Sequence, residues 1–416
     1  MSIEKTDIFV YAHWRGMPQP VFIGILSAHQ GKGRRSFSFE YDEHWLKGKD
    51  LFLLDPDMGL FSGPQFPVKK ENFGIFLDSM PDTWGRTLMT RRALQVAKSE
   101  GRIASALHDL DFLLGVADKC RMGAIRFKLD PDGPFLDDDT NTPVPPWTSV
   151  GELQHIAGLV ESGNNPKELN KWLNMLMAPG SSLGGARPKA NVMDKSGQLW
   201  IAKFPSKNDT IDKAKWEFLA YKLAIAAGIR MSESRIEQIS GSYYTFFTRR
   251  FDRIREERVH FASAMTMTGN NEETLHDKRA SYLDLSMFIQ DHGGTINEDL
   301  AGLWRRIVFN IAVSNTDDHL RNHGFIIENG AWRLSPAYDV NPSIEKEELV
   351  LNIDESSGAL DFDLALTVAE YFRLTPVEAQ TILSKVLQVV GNWEKTAKQI
   401  GISRSEIEMM QPAFRI

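Results

Sequence analysis

The chain has 416 residues, 42% hydrophobic and 25% charged, with a formal net charge of −7; this is the make-up of a globular protein long enough for two or three domains. The acidic balance argues against a large basic surface that binds nucleic acid unaided, and the single cysteine, Cys120, excludes a disulfide framework or a cysteine-based zinc site. No apolar run approaches the roughly 20 residues needed to span a bilayer; Leu223–Ile229, among the longest, is short and contains Gly228.

The residues from Met1 to Tyr11 lack a basic stretch followed by an apolar one, so no secretory signal and a cytoplasmic location are expected. Alternating apolar residues predict short strands at Ile8–His13, Val21–Leu26 and Ser36–Tyr41. From Phe73 to Val116 the spacing becomes helical, with Leu77, Met80, Trp84, Leu88 and Met89 three or four apart. Residues 129–147 combine five prolines, a glycine and the acidic run Asp137–Asp139, which predicts a surface loop or linker and a solvated turn. The expected organisation is therefore 1–128, a linker at 129–147, then 148–253 and 254–416.

Helices are expected at Ser149–Val160 and Pro166–Met177, then strands at Lys189–Met193 and Gln198–Phe204 around a Lys195-Ser-Gly197 turn. Residues 211–227 read as a helix with Trp216, Leu219, Ala220 and Leu223 on one face, followed by strands at Arg235–Ile239 and Tyr243–Thr248. Beyond Tyr282 the chain is mainly helical. Thr375-Pro-Val-Glu378 carries a cap, a first-turn proline and a capping-box glutamate, and Ser403 with Glu406 repeats the box. This order predicts an α+β fold, a small mixed lobe joined to a larger α-helical one.

The stretch Ser314–Phe325 carries the most chemistry. Asp317 and Asn322 have the D-x-x-x-x-N spacing of a kinase catalytic loop, in which Asp handles the proton of the attacking hydroxyl and Asn holds magnesium. Gly324–Glu328 and Ala331–Leu334 flank Asn329-Gly330, a strong hairpin signal, and the second strand leads to Asp339 as a further metal carboxylate. Upstream, the glycine-rich run Pro179–Lys189 offers backbone N–H groups to phosphates, although it is no Walker A loop. Lys203, between apolar strand neighbours, suits a phosphate-contacting lysine, and Glu217 on the next helix could pair with it. A metal phosphohydrolase is the rival: His319 and His323 are four apart beside Asp317 and Asp318, but Asp291–His292 is the only other ligand candidate.

Five segments in order resemble the HipA family of serine/threonine kinase toxins: residues 181–189, 201–204, 248–253, 315–323 and 336–339. Asp78-Ser-Met-Pro-Asp82 and Arg121-Met-Gly-Ala-Ile125 are similar to that family's N-terminal coupling domain. The resemblance implies a protein-kinase-like two-lobed fold and a protein serine/threonine kinase using ATP and Mg2+. It places Asp317 as the catalytic residue and Asn322 and Asp339 on the metal. Gly184, Gly185, Ala186, Arg187, Pro188, Lys189 and Lys203 would meet the ATP phosphates. Arg249, Arg250 and Phe251 would line the adenine hinge, with His319 and Tyr338 beside the nucleotide. Arg249 stands where the family often has glutamate. Ser182, with Ser181 as its neighbour, falls at the family's autophosphorylation position, where added charge would silence the site. The implied partners are a small helix-turn-helix, HipB-like antitoxin, with DNA reached only through it, and a protein substrate such as an aminoacyl-tRNA synthetase; no membrane is involved. The alternatives are a catalytically silent kinase-like co-repressor and a small-molecule kinase.

Overall fold

Ile8, Val10 and Ala12 are buried at every second position, so one face of β1 (Glu4–Ala12) enters the core. The neighbouring β2 (Val21–Gly31) and β3 (Arg34–Tyr41) bury Ile23, Leu26, Phe37, Phe39 and Tyr41. With β4 (Ile125–Lys128) they form an antiparallel sheet of order β3-β2-β1-β4, in the register Leu26↔Phe39 and Val10↔Phe127. Phe76 covers this face, its ring 5.6 Å from Phe39 and 5.9 Å from Phe127.

The computed structural model describes residues 4–31, 34–48, 51–137, 144–163, 185 and 187–416. The chain divides into two units, one of Met1–Lys207 with Asp252–Ala262, the other of Asn208–Phe251 with Ser263–Ile416. The expected boundaries at 128 and 147 fall inside the first unit, and the one at 253 falls within its returning piece. The predicted helix Pro166–Met177 lies outside the described residues, as do Asp138 and Asp139. The described start of the expected linker folds back, the Leu136 N–H donating to Phe127 at 2.8 Å and the Asp137 N–H to Val116 at 2.9 Å.

The first unit adds α1 (Thr83–Ser99), α2 (Val150–Glu161) and the antiparallel hairpin of β5 (Lys189–Met193) and β6 (Leu199–Lys203). Its returning piece is fastened by charge. Asp252 accepts the Gly123 N–H at 2.9 Å, Arg253 donates to the carbonyls of Gly123 and Arg121, and Arg258 meets Asp118 at 2.8 Å. Gly123 sits at φ +73°, and a Cβ there would lie 3.2 Å from the Phe261 nitrogen, so both the backbone conformation and the close approach favour glycine. Buried Arg121 donates to the carbonyls of Ser79, Leu113, Val116 and Leu136, and burial pulls its guanidinium down to about 10. The two N-terminal motifs and the Asp252-Arg253 end of the third segment are thus parts of one hydrogen-bonded core.

The second unit contains α3 (Lys213–Ala226), the hairpin β7 (Ser234–Glu237) and β8 (Thr245–Arg249), then α4 (Tyr282–His292) and α5 (Ile296–Ala312). A second hairpin follows, β9 (Gly324–Glu328) and β10 (Ala331–Leu334), then α6 (Pro376–Val390), α7 (Trp393–Ile400) and α8 (Arg404–Met410). Every residue from Arg306 to Ala312 in α5 is buried, which makes this the central helix of the unit. Thr375 and Glu378 form the predicted capping box of α6; at α8, Ser403 caps the Glu406 N–H.

Candidate functional site

The expected catalytic loop begins where α5 ends. Ser314 takes a left-handed conformation, φ +48°, that stops the helix. Arg415 closes this end, its N–H donating to the Ala312 carbonyl at 2.9 Å and its guanidinium to Ser314 Oγ at 3.3 Å. Asn315 then joins three segments: its Nδ2 donates to Asn310 Oδ1 on α5 at 3.2 Å, and its Oδ1 accepts the Asn341 N–H at 3.1 Å.

The adjacent aspartates are sorted by burial. Asp317 projects outward, its side chain 76% exposed, with the Lys346 ammonium 3.7 Å away. Asp318 points inward and accepts from Tyr282 Oη, from Asn310 Nδ2 at 2.8 Å and from His323 Nε2 at 2.9 Å. Burial works against its charge, but His323 and the hydrogen bonds from His323 and Tyr282 outweigh that and hold the carboxyl below the usual range. A 3-10 turn, Leu320–Asn322, follows, and Asn322 Nδ2 donates back to the Asp317 carbonyl at 3.0 Å.

The β9–β10 hairpin returns the chain as its sequence predicts, with Asn329 and Gly330 at φ +54° and +78° in the turn. Beyond it, Tyr338 Oη donates to the Arg321 carbonyl at 2.8 Å, and the Tyr338 ring lies 5.6 Å from Phe251. Asp339 is left-handed, φ +57°, and accepts from Asn341 Nδ2 at 3.2 Å. Asn315 therefore links the Asp317 loop to the Asp339 segment. A non-glycine residue in this conformation costs about 1–3 kcal/mol, strain of the kind that clusters at functional sites.

Of the sequence-predicted residues, Asp317, Asn322, Tyr338, Asp339 and Phe251 are joined by these contacts within the second unit, and the His319 carbonyl accepts the Asn322 N–H at 2.8 Å. Arg250 in that unit is buried, whereas Arg249 is exposed and pairs with Glu233 at 3.2 Å. In the first unit, Gly185 has φ +97°, Arg187 is half-buried, and the Pro188 carbonyl accepts the Phe204 N–H at 2.9 Å. Lys189 is buried against Asp82 at 2.8 Å, and Lys203 is half-buried at the end of β6. Ser181, Ser182, Gly184 and Ala186 lie outside the described residues. Sequence reading passed over Asn310, Asn315, Tyr282 and Lys346. The second carboxylate of the Asp-Asp pair was the only hint of the buried network.

His319 and His323 do not share a helix face: the 3-10 turn separates them, and His323 is engaged by Asp318. The residues fit magnesium and a nucleotide on two observations. Asn322 has committed its amide nitrogen, so its oxygen is the end able to meet a cation, and a carboxylate with an amide oxygen is a hard donor set suited to Mg2+. His319 Nδ1 is buried without a hydrogen-bond partner among the described residues.

The HipA toxin in a Shewanella oneidensis MR-1 complex of HipA, HipB and operator DNA is similar in structure, with a TM-score of 0.66 and 17% identity over 98% of this chain and 94% of that one. The Helicobacter pylori proinflammatory kinase CtkA gives a TM-score of 0.34 at 11% identity, over 51% of this chain and 94% of that one. No curated protein matches the sequence. The fold is accordingly α+β and shared with HipA. The model of the HipA-like C-terminal domain matches residues 181–409, more than half of the chain, and the chain belongs to the HipA-like family.

Proposed function

We propose that the chain is an ATP- and Mg2+-dependent protein serine/threonine kinase, the toxin of a HipA-type toxin–antitoxin pair. The observation that carries this reading is the exposed Asp317 tied through its own carbonyl to Asn322, with a return hairpin beyond which lies the left-handed Asp339. Asp317 would accept the proton of an incoming serine or threonine hydroxyl and aim its oxygen at phosphorus. Asn322 and Asp339 would hold Mg2+, which supplies charge neutralisation at phosphate oxygens. Lys203 and the Gly184–Lys189 backbone would hold the phosphates, and Arg250, Phe251, Tyr338 and His319 would border the nucleotide. Arg249 turns to Glu233, so a nucleotide contact by its side chain would require that exposed pair to open.

The Shewanella HipA stands with HipB and operator DNA, which supports a HipB-like antitoxin here and DNA contact through that partner. No helix among the described residues is long and apolar enough to cross a membrane, and a cytoplasmic location is part of the proposal. Intact mass after incubation with Mg·ATP tests the reading on phosphatase-treated wild type, Asp317→Ala and Ser182→Ala. Wild type should gain a phosphate and neither variant should. A phosphate on Ser182→Ala alone moves the modified residue, with Ser181 as the next candidate. A phosphate on Asp317→Ala removes Asp317 from catalysis.

A further inference from the structure

The segment beyond Asp339 brings a cation to Asp317. Its backbone runs beside the start of the loop: the Asn341 N–H donates to Asn315 Oδ1 at 3.1 Å, and the Ser343 N–H to the Ser314 carbonyl at 3.1 Å. The Glu345 N–H then donates to Ser343 Oγ at 3.1 Å, a local turn. Lys346 follows, and its ammonium lies 3.7 Å from Asp317 Oδ1. That distance is a charge contact rather than a hydrogen bond. Both side chains are exposed, and such a pair adds little to stability, so an arriving anion opens it at small cost.

The surrounding charges give this lysine its significance. From Asp339 to Ser357 it is the only basic residue, among Glu345, Glu347, Glu348, Asp354 and Glu355. Glu348 is turned to Arg279 at 3.0 Å. Without Lys346 the segment would offer carboxylates alone to a site that the kinase reading fills with a triphosphate. The loop's own arginine is engaged elsewhere: the Arg321 guanidinium donates to Glu272, and its carbonyl accepts from Tyr338 Oη.

Resting on the kinase reading, we propose that Lys346 is a further catalytic residue, the cation that leaves Asp317 to meet the γ-phosphate during transfer. The acceptor hydroxyl oxygen bonds to the γ-phosphorus, and the hydroxyl proton passes to Asp317. The bond from that phosphorus to the β,γ-bridging oxygen breaks, its electron pair staying on ADP. Lys346 donates to a non-bridging γ-oxygen as charge shifts, and its departure clears Asp317 to take the proton. The ammonium is well solvated in the resting site, its side chain 55% exposed, so it adds more to the rate of transfer than to Mg·ATP affinity.

The test uses phosphatase-treated full-length protein: wild type, Lys346→Met and Lys346→Arg. Phosphate gained from Mg·ATP is followed over time by intact mass, and phosphate released to water is measured alongside. Calorimetric titration gives the Mg·ATP affinity, and melting temperatures are recorded in parallel. Lys346→Met should slow transfer at saturating Mg·ATP about ten- to hundredfold. Its Kd should stay within about threefold of wild type, and its melting temperature should not move. Lys346→Arg, which keeps a cationic donor, should recover to within about threefold of the wild-type rate. Transfer by Lys346→Met at the wild-type rate overturns the proposal, and faster transfer does so by making Lys346 a cover over Asp317. Equal losses in both variants also overturn it, as does weakened Mg·ATP binding with the saturated rate intact. Wild type that neither gains a phosphate nor releases one would defeat the kinase reading and this proposal together. An active wild type beside an equally active Lys346→Met defeats this proposal alone.

Discussion

Replacing Asp318 by Ala removes the acceptor on which three elements converge: Tyr282 of α4, Asn310 of α5 and His323 at the loop's far end. Each orphaned buried donor costs about 1–3 kcal/mol, and deleting one member of a buried charged pair typically costs about 3–5 kcal/mol. These terms overlap, so we expect Asp318→Ala to lose about 3–5 kcal/mol, read in urea unfolding as a lowered midpoint at unchanged slope. Asp318→Asn, which keeps the volume and one acceptor oxygen, should lose about half of that. The folded-state carboxyl is held below its usual range, so its stabilisation is complete above the ordinary aspartate pKa and fades as pH falls through the folded value. The gap between wild type and Asp318→Asn should therefore be flat from pH 8 to 5 and close only below about pH 4. A loss under about 1 kcal/mol for Asp318→Ala, or a gap that closes near neutrality, would refute the account of this network.

Asp55 should show the opposite sign. Burial pushes its carboxyl to about 6, against Lys70 and the Asp57 and Ile75 N–H groups. The folded state thus holds a proton that the unfolded state has released, and wild type should lose about 3 kcal/mol relative to Asp55→Asn between pH 4 and 7. A pH-independent difference in melts of the two proteins would count against that burial. Arg253→Lys cannot reproduce the fork to the Gly123 and Arg121 carbonyls and to Asp252. It should destabilise by about 2–4 kcal/mol, and a melting temperature within a degree of wild type would show that the fork contributes little.

Local signals carried far into the structure. The β5 limits, both strands of the β9–β10 hairpin and the α6 start were readable because a few adjacent residues decide each: an Asn-Gly turn, a Thr-Pro-Val-Glu cap, an alternating run. The spacing of Asp317 and Asn322 was readable for the same reason, since the loop closes on itself through five residues. What the sequence concealed depends on distant partners. Nothing around Lys189 announces that Asp82, more than a hundred positions earlier, will hold its ammonium, and composition cannot say which of two adjacent aspartates turns inward. The Thr-Arg-Arg-Phe-Asp-Arg253 segment reads as one motif, yet it divides: Phe251 reaches Tyr338 in the second unit, and Asp252 and Arg253 fasten to the Gly123 turn in the first.

That division bears on how the chain matures. The Asp252–Ala262 piece, which supplies Arg253 and Arg258, is separated by 44 intervening residues from Lys207, where the rest of its unit ends. At about 5–20 residues per second, the ribosome makes the first unit wait several seconds with Asp118 and the Gly123 turn lacking their later partners. The nascent unit cannot complete its core as a finished N-terminal domain would; it must stay open to a segment still inside the exit tunnel. A gene fragment ending at Lys207 would lack the Asp252–Ala262 piece for good, so it should fold less stably than the same unit within the whole chain.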